Sequence, residues 1–352
     1  MSDQHYWKGR GALTNPANRF ETIHIEADPE SDPADRLKPK TVYLHDTTKS
    51  LITYNDSPDV GFKAGINPYR GCEHGCIYCF ARPSHEYLGF SSGLDFETRI
   101  LVKLEAAEIL RKELMSPRYQ PQVIAFSGNT DVYQPVERKL KITRQCLEVM
   151  AEFRNPVAMI TKNRLIERDI DLLKILSLYR AVQVFVSVTT LDSKLSSKME
   201  PRASHPCDRL KAIQALNRAG VPVGVLIGPV IPGLTDEELP AILREAAEAG
   251  AASSHFVMLR LPYSVKVLFE EWLGNHFPEK KEKVLNRIRS VRSGKLNDPD
   301  FHTRMSGTGI YAEQVHSIFK LYSRRYKLDR HSAGLSSGSF RRPNKQLMLF
   351  DE

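Results

Sequence analysis

The sequence predicts an α/β protein built around a parallel β-sheet. Between residues 60 and 262, short apolar runs alternate with stretches that have the periodicity of amphipathic helices. Six of the runs have the length and apolar content of buried strands. The predicted strands are 60–66, 123–126, 157–160, 182–188, 221–227 and 255–261. Six strand–helix units are two fewer than a closed (β/α)8 barrel contains.

The first predicted helix follows the first strand. Asp95 is expected to cap a long helix that carries apolar residues at spacings of three or four. Those residues are Phe96, Ile100, Leu104 and Ala107.

Further helices are predicted between the later strands. One covers about 137–153 and places Cys146 in the core, because apolar residues surround that position. Gly220 is a signal for the end of a helix. Thr235 and Glu238 have the spacing of a capping box that opens the next one.

The two ends of the chain differ in composition from residues 60–262, which we assign to the α/β unit. Residues 1–59 lack a periodic apolar pattern and predict a partly disordered N-terminal arm, with one short strand near 41–44. Residues 263–330 predict a helical extension that caps the sheet. Residues 331–352, rich in Ser, Gly, Arg and Pro up to residue 345, predict a flexible tail.

Composition narrows the class of protein. The chain has 352 residues, of which 41% are hydrophobic and 26% charged, which is ordinary for a globular protein. No apolar run approaches the roughly 20 residues that span a bilayer, and the polar N-terminus lacks a signal-peptide pattern. Because three of the five cysteines are grouped, we expect a cytoplasmic protein without membrane association. The net charge of +8 is compatible with a nucleic-acid partner, although many cytosolic enzymes are equally basic.

The most informative motif is a group of three cysteines. Cys72, Cys76 and Cys79 have the spacing Cys-x3-Cys-x2-Cys, and Gly71 and Gly75 allow the backbone to turn between them. Each turn returns a sulfur to the same side of the loop, so the three thiolates can converge on one centre. Thiolates are soft ligands that select iron–sulfur clusters, zinc or cuprous copper.

The number of ligands helps to separate these metals. Structural zinc usually takes four protein ligands. Cys146 and Cys207 are isolated in the sequence, and His74, within the loop, would strain it as a fourth ligand. A cubane cluster on three cysteines, with one iron left open, fits without a further protein ligand.

The cysteine spacing resembles that of the radical S-adenosylmethionine (SAM) enzymes. The resemblance implies that Cys72, Cys76 and Cys79 bind a [4Fe–4S] cluster whose open iron holds the amino and carboxylate groups of SAM. It also implies an external one-electron donor and a deoxyadenosyl radical that abstracts hydrogen from a substrate. Folds of this family look like an incomplete six-stranded barrel. The expected fold is therefore a partial (β/α)6 TIM-like barrel with an extended N-terminal arm and a C-terminal helical cap.

SAM would need contacts beyond the cluster, and ligands gather at the C-terminal strand ends of parallel sheets. Residues 127–131 resemble the family's second-strand motif, which holds the SAM amino group, although Asp131 can also be read as a helix cap. Tyr78 resembles the residue that contacts adenine. The residues expected to contact SAM are Tyr78, Ser127, Gly128, Asn129, Thr130, Asp131, Thr161, Lys162, Ser187, Thr189, Arg202, Val230 and Ile231.

Several members of this set have a second interpretation. Arg202 suits the SAM carboxylate because a guanidinium pairs with it through a fork of hydrogen bonds, but it can also be an exposed arginine. Lys162 can serve SAM or the substrate, while its neighbour Asn163 can cap a helix. Val230 and Ile231 resemble the apolar motif that flanks adenine in the family.

Within the superfamily, residues 67–80 and the Glu200-Pro201-Arg202 segment resemble the spore photoproduct lyase branch. Those enzymes reverse a thymine dimer in DNA by hydrogen abstraction. Two departures stand out: residues 127–131 contain no cysteine to donate hydrogen, and Phe80 stands where the lyases have a tyrosine.

We therefore expect a lyase-related enzyme acting on DNA or another nucleic acid in repair, whose radical ends elsewhere. One alternative is radical modification of a peptide or metabolite. Another is a non-catalytic iron–sulfur protein associated with DNA or a sliding clamp.

The last residues carry an independent motif. Gln346, Leu347, Leu349 and Phe350 resemble the short peptide with which bacterial DNA polymerases and repair proteins bind the sliding clamp. Leu and Phe side chains would fill an apolar pocket, and a tethered peptide raises local concentration without a large interface. The alternative is a tail that folds back onto its own barrel.

Overall fold

Six parallel strands form the main sheet, as the sequence predicts. The computed structural model describes residues 7–21, 39–329 and 334–343. The strands in these residues are β1 Val42–His45, β2 Thr53–Tyr54, β3 Ala64–Ile66, β4 Tyr69–Arg70, β5 Arg99–Val102, β6 Ile124–Phe126, β7 Val157–Thr161, β8 Val182–Ser187, β9 Val223–Val230 and β10 Ser254–Met258. The order in the main sheet is β10-β9-β8-β7-β6-β3-β2, in which β2 is antiparallel to its neighbour and the others are parallel.

The α-helices follow the strands and cover one face of the sheet. They are α1 Leu94–Thr98, α2 Ala106–Met115, α3 Glu137–Leu140, α4 Ile142–Phe153, α5 Ile170–Leu178, α6 Ser193–Met199, α7 Pro206–Arg218, α8 Leu239–Glu248, α9 Val265–His276, α10 Lys281–Ser290 and α11 Gly309–Arg325. Leu147, Leu173, Ile213 and Leu243 of four helices share one buried cluster with Val184 of β8. Since β2 and β10 do not pair with each other among the described residues, the barrel is open, and its polar C-terminal strand ends lie at one edge.

The long helix predicted from Asp95 is wrong. The chain instead forms the short helix α1, the strand β5 and the helix α2, and Gly93 rather than Asp95 precedes α1. Ile100 and Val102 belong to β5, which pairs with β1 and β4 in a second sheet of three strands. An apolar run rich in β-branched residues suits a strand once partners are available, which local helical periodicity does not reveal.

The region after the fifth predicted strand also differs from expectation. β9 continues through Val230, because the Val230 carbonyl accepts a hydrogen bond from Leu259 N at 3.0 Å. Thr235 and Glu238 do not form a capping box. Thr235 Oγ1 accepts from Ile231 N at 2.9 Å, and the Glu238 carboxylate accepts from Leu191 N at 2.6 Å. Both side chains therefore hold neighbouring loops, and α8 begins after a turn of 3-10 helix.

Other local signals are confirmed. Asn163 Oδ1 accepts from Leu165 N at 3.0 Å at the start of a 3-10 helix, and Gly220 has a φ of 74° just after α7. Cys146 is fully buried in α4. The helix expected from residue 263 is divided into α9 and α10 near Pro278, which interrupts helical hydrogen bonding.

The described part of the tail is ordered against the barrel, contrary to the prediction of a flexible segment. The Phe340 ring lies 5.8 Å from the Tyr119 ring and 6.2 Å from the Phe153 ring, measured between centroids. Arg341 N donates to Phe153 O at 2.9 Å, and Arg342 Nη2 donates to Tyr119 O at 2.9 Å. One aromatic anchor and two arginines thus fix 334–343, whereas the predicted clamp peptide, Gln346 to Phe350, lies outside the described residues. In the part of the chain that the structure describes, we find no helix long and apolar enough to cross a bilayer.

Candidate functional site

The cysteine loop follows β3 and β4 and is a succession of tight turns. Gly75 N donates to Cys72 O at 3.3 Å, and Cys79 N donates to Cys76 O at 3.2 Å. Gly75 has a φ of 66°, and a Cβ at this position would lie 2.6 Å from a carboxylate oxygen of Glu97. Glycine is therefore required there on both backbone and steric grounds.

A buried ion pair holds this loop from behind. Arg82 and Glu97 are paired, and both side chains are fully buried. Arg82 Nε donates to Cys76 O at 3.0 Å, and its Nη2 donates to Gly75 O at 3.2 Å. The guanidinium thereby satisfies carbonyls that the turns leave free, and the loop keeps one backbone shape. No local pattern predicts this pair, because its members are 15 residues apart and Glu97 belongs to a region whose predicted helix does not form.

The N-terminal arm also contacts the buried Arg82–Glu97 pair. Gly11 N and Ala12 N donate to the Glu97 carboxylate at 3.0 and 2.8 Å. A Cβ at Gly11 would lie only 1.8 Å from Gly75 O, so the arm can approach the cysteine loop only with glycine at this position. The segment 7–21 is thus part of the site's framework, where the sequence favoured a flexible leader.

The three thiols have surroundings that fit a cluster. Ala81 and Phe96 pack around Cys72 and Cys79, and Cys76 packs against a second apolar group. Burial raises the pKa of all three thiols, to about 12 for Cys76, and the thiols raise one another's pKa where they are close. A bound metal is what deprotonates such thiols.

No three His, Cys, Asp or Glu side chains among the described residues are gathered closely enough to hold one metal ion. In a cubane each thiolate binds a different iron, so a cubane does not require that its three sulfurs share one ion. His74 does not supply a fourth ligand in this arrangement. Its Nδ1 lies 3.4 Å from Asp131 Oδ2, and its Nε2 lies 3.1 Å from Asn163 Nδ2.

The loop after β6 is attached to the start of the cysteine loop. Asn67 Oδ1 accepts from Asn129 N at 3.0 Å and from Thr130 N at 3.4 Å. Ser127 has a φ of 78°, which is uncommon for a residue other than glycine. Ser127, Gly128 and Asn129 are partly or fully exposed. The Ser127 hydroxyl accepts from Val132 N at 3.3 Å and so stabilises its own loop.

Asp131 joins three loops rather than capping a helix. Its carboxylate accepts from Thr161 Oγ1 at 2.8 Å and from Lys162 N at 2.7 Å, and it faces His74. Burial alone would raise the pKa of Asp131, but His74 and the backbone amides of Lys162 and Tyr133 outweigh burial and hold the pKa at about 2. The carboxylate therefore stays ionised and fixes the end of β7 beside the cysteine loop.

Polar side chains at or just after the ends of β7 and β8 surround the Gly228 carbonyl of β9. Lys162 Nζ lies 3.1 Å from this oxygen, and Ser187 Oγ and Thr189 Oγ1 each lie 3.2 Å from it. Tyr78 is buried next to them, with its hydroxyl 3.3 Å from Thr189 Oγ1. The structure therefore brings together four of the predicted SAM contacts.

Glu200 and Arg209 border this group of candidate residues, and sequence reasoning did not predict either as a site residue. They form a fully buried ion pair, and the Glu200 carboxylate also accepts from Tyr78 and, at 2.9 Å, from Thr189 Oγ1. Burial would raise the pKa of Glu200, but Arg209 and Lys162 outweigh burial and hold it at about 2. The available signal was a charged residue at an apolar position of α7, where Arg209 lies between buried neighbours.

Three predicted contacts lie apart from this group. Arg202 Nη2 is 3.1 Å from the carboxylate of Glu73, and its Nη1 donates to Thr41 Oγ1 at 3.3 Å. Val230 and Ile231 are fully buried, in two different apolar clusters. Their roles toward SAM stay predictions.

Comparison with known proteins places the chain in a family. The sequence model of the Radical SAM superfamily matches residues 66–246, and the chain belongs to this superfamily. This match confirms the predicted superfamily, and the fold is similar to that of spore photoproduct lyase. The structure of that lyase complexed with dinucleoside spore photoproduct has a TM-score of 0.53 and 15% identity, over 81% of this chain and 79% of that one.

Sequence relatives include both uncharacterised and named proteins. An uncharacterised protein of Mycobacterium tuberculosis (strain H37Rv) is 37% identical over 243 residues, which are 68% of this chain and 70% of that protein. A protein of Pseudomonas phage M6 described as a radical SAM Nalpha-GlyT isomerase is 23% identical over 291 residues. These residues are 81% of this chain and 58% of the phage protein.

Proposed function

We propose that the protein is a radical SAM enzyme in which Cys72, Cys76 and Cys79 hold a [4Fe–4S] cluster, and that its substrate is DNA or another nucleic acid. The observation that carries this proposal is the cysteine loop, whose three thiols are held in one backbone shape by the buried Arg82–Glu97 pair. When bound, the cluster and SAM supply a deoxyadenosyl radical that abstracts hydrogen from a substrate.

The polar groups beside the loop suit SAM, which carries an ammonium, a carboxylate and ribose hydroxyls. The Lys162 ammonium has three N–H groups, and the Gly228 carbonyl accepts one of them at 3.1 Å. The remaining N–H groups are therefore available to an oxygen of a ligand. Glu200 holds Tyr78 in place, so that the ring stays next to the cysteines when a ligand enters.

Two features support a nucleic-acid substrate. The chain carries a net charge of +8, and its fold is that of a lyase whose structure contains a dinucleoside. The radical has a different end point from that of the lyases, because residues 127–131 contain no thiol and position 80 is Phe80. Cys146 is buried in the core and Cys207 is exposed on α7, so neither replaces that thiol.

Anaerobic reconstitution tests the enzyme proposal. With iron, sulfide, dithionite and SAM, the wild-type protein should bind iron and form methionine and deoxyadenosine. Cys76→Ala should lose both the iron and the cleavage, whereas the matched control Cys207→Ala, outside the loop and exposed, should behave as wild type. An intact cluster without deoxyadenosine would refute the enzyme and favour a non-catalytic iron–sulfur protein.

We also propose that Gln346, Leu347, Leu349 and Phe350 bind a bacterial sliding clamp. Support comes from the sequence and from the ordered anchor at Phe340, which lies six residues before Gln346 and ties the chain to the barrel. Deletion of residues 346–352 should abolish binding to purified clamp. Deletion of 351–352 alone, which keeps the peptide, should not. Equal binding by both truncations would contradict the assignment.

A further inference from the structure

Exposed aromatic rings and arginines are grouped next to the cysteine loop. Phe80, directly after Cys79, is 48% exposed, and the Arg260 guanidinium carbon lies 5.3 Å from its ring centroid. Phe301 is 43% exposed, and the Arg304 guanidinium carbon lies 4.3 Å from its centroid. We call these four residues the arginine–aromatic patch.

The two arginines of the patch differ in their partners. Arg304 makes a bidentate ion pair with Asp59, with both N–O distances at 2.5 Å. Arg260 makes no ion pair with a carboxylate in the part of the chain that the structure describes. Among the described residues its Nε is a buried donor without an acceptor, and its Nη1 reaches only Met305 Sδ at 3.6 Å. A thioether is a weak acceptor, so Arg260 has no strong hydrogen-bond acceptor in this part of the chain.

The position of Arg260 is fixed before any ligand arrives. It follows the C-terminal end of β10, where Arg292 Nη2 donates to Leu259 O at 2.6 Å and Arg292 Nη1 donates to Thr303 O at 3.0 Å. These bonds hold the end of β10 against the segment that contains Arg304 and Met305. A guanidinium positioned in this way loses little further freedom when it binds an anion.

The local charge favours an anion. Burial lowers the pKa of Arg260, and the neighbouring charge of Arg304 lowers it further, against the opposing effect of Asp59. Because Asp59 is already bonded to Arg304 through both oxygens, a ligand anion is the partner that can relieve the repulsion.

We propose that Arg260 and Phe80 form a nucleotide-binding subsite beside the cysteine loop, in which Arg260 binds a backbone phosphate and Phe80 stacks on the adjoining base. Guanidinium groups match phosphate oxygens in a planar fork, and exposed aromatic rings are the usual stacking surface for single-stranded nucleic acid. The subsite rests on the proposed function, since it assigns a nucleic-acid strand to that site.

Binding of a fluorescently labelled single-stranded DNA oligonucleotide to the anaerobically reconstituted protein tests the subsite. Arg260→Gln should weaken binding about tenfold and reduce the salt dependence by about one phosphate contact. Phe80→Leu should weaken binding about tenfold while leaving the salt dependence unchanged. The matched control is Arg325→Gln, an exposed arginine of α11 whose guanidinium carbon lies 5.9 Å from the Tyr322 ring; its effect should stay within about twofold.

Three outcomes would overturn the subsite. The first is Arg260→Gln binding as tightly as Arg325→Gln, with iron content and thermal unfolding of both variants matching wild type. The second is an unchanged affinity of Phe80→Leu, which remains informative if Arg260→Gln fails to fold. The third is competition by polyglutamate as effective as that by unlabelled oligonucleotide, which would assign Arg260 to carboxylates. Deoxyadenosine formation without nucleic acid, measured in parallel, separates these failures from failure of the radical SAM proposal.

Discussion

Arg82 and Arg260 both adjoin the cysteine loop, but their surroundings are opposite. Arg82 is fully buried, pairs with Glu97 and donates to four backbone carbonyls. Arg260 lies over the exposed Phe80 ring with a single thioether acceptor among the described residues. The hydrogen-bond donors of Arg82 are therefore occupied by protein acceptors, whereas those of Arg260 are available to a ligand.

This difference separates a framework residue from a binding residue. A buried charge whose donors are all used can bind nothing more, so its role is to fix the loop that it contacts. A buried or half-buried charge without a carboxylate partner is energetically unfavourable in the free protein, and a bound anion stabilises it. The hydrogen-bond and ion-pair partners of an arginine, more than the residue type, therefore determine whether it stabilises the fold or binds a ligand.

The most direct way to break this comparison is to replace each arginine by leucine. Arg82→Leu should lower the free energy of unfolding by about 3–5 kcal/mol, because Glu97 would remain buried without its partner. Arg260→Leu should change it by less than about 1 kcal/mol, since it also removes repulsion with Arg304. Urea unfolding under anaerobic conditions measures both values. Equal losses would show that Arg260 is a framework residue too.

The Glu200–Arg209 pair extends the comparison to pH. The pKa of Glu200 is about 2 against an ordinary 4.5, since Arg209 and Lys162 outweigh the effect of burial. A depressed pKa means that the stabilisation is complete above pH 4.5 and is lost as the pH falls toward 2. Glu200→Gln should therefore cost about 3 kcal/mol at neutral pH, with the difference from wild type vanishing in acid.

Urea unfolding as a function of pH checks this expectation. Glu148→Gln provides the control, because Glu148 is an exposed carboxylate 3.4 Å from Arg144 and such surface pairs contribute little. A pH-independent loss in Glu200→Gln would mean that packing rather than charge sets the contribution of Glu200.

The tail offers an intermediate case, an arginine bonded to carbonyls at the surface. Phe340→Ala should lower the free energy of unfolding by about 1–2 kcal/mol, less than a fully buried phenylalanine would, because the ring is only partly covered. Arg342→Gln should cost less than about 1 kcal/mol, since water can replace its bonds. Thermal unfolding compares the two, and a larger loss for Arg342→Gln would contradict this order.

The smallest expected effect sharpens the contrast within the arginine–aromatic patch. Asp59→Asn removes the carboxylate from Arg304 and makes it resemble Arg260. Single-stranded DNA should then bind about two- to threefold more tightly at low salt, with a steeper salt dependence. Titrations at several salt concentrations measure this change. Weaker binding would indicate that the ion pair holds the patch in its binding-competent shape.

Much of the fold followed from local patterns. The six strands follow from apolar runs, because a strand buried on both faces needs continuous apolar sequence, and β7 and β8 match their predicted bounds within one residue. The cysteine spacing likewise predicted a loop of turns. The helix from Asp95 failed because Ile100 to Val102 suit a strand once β1 and β4 lie beside them.

The amino-acid sequence by itself determined the strand order along the chain, the three-thiol loop and the family, since each depends on residues that are close in sequence. Tertiary structure alone decided which charges are satisfied. Arg82 pairs with Glu97, and Glu97 accepts from the amides of Gly11 and Ala12, because folding joins segments that are distant in the chain. Arg260, by contrast, pairs with no carboxylate of the described residues. A guanidinium has the same chemistry at every position, and its neighbours in space decide whether it stabilises a loop or binds a ligand.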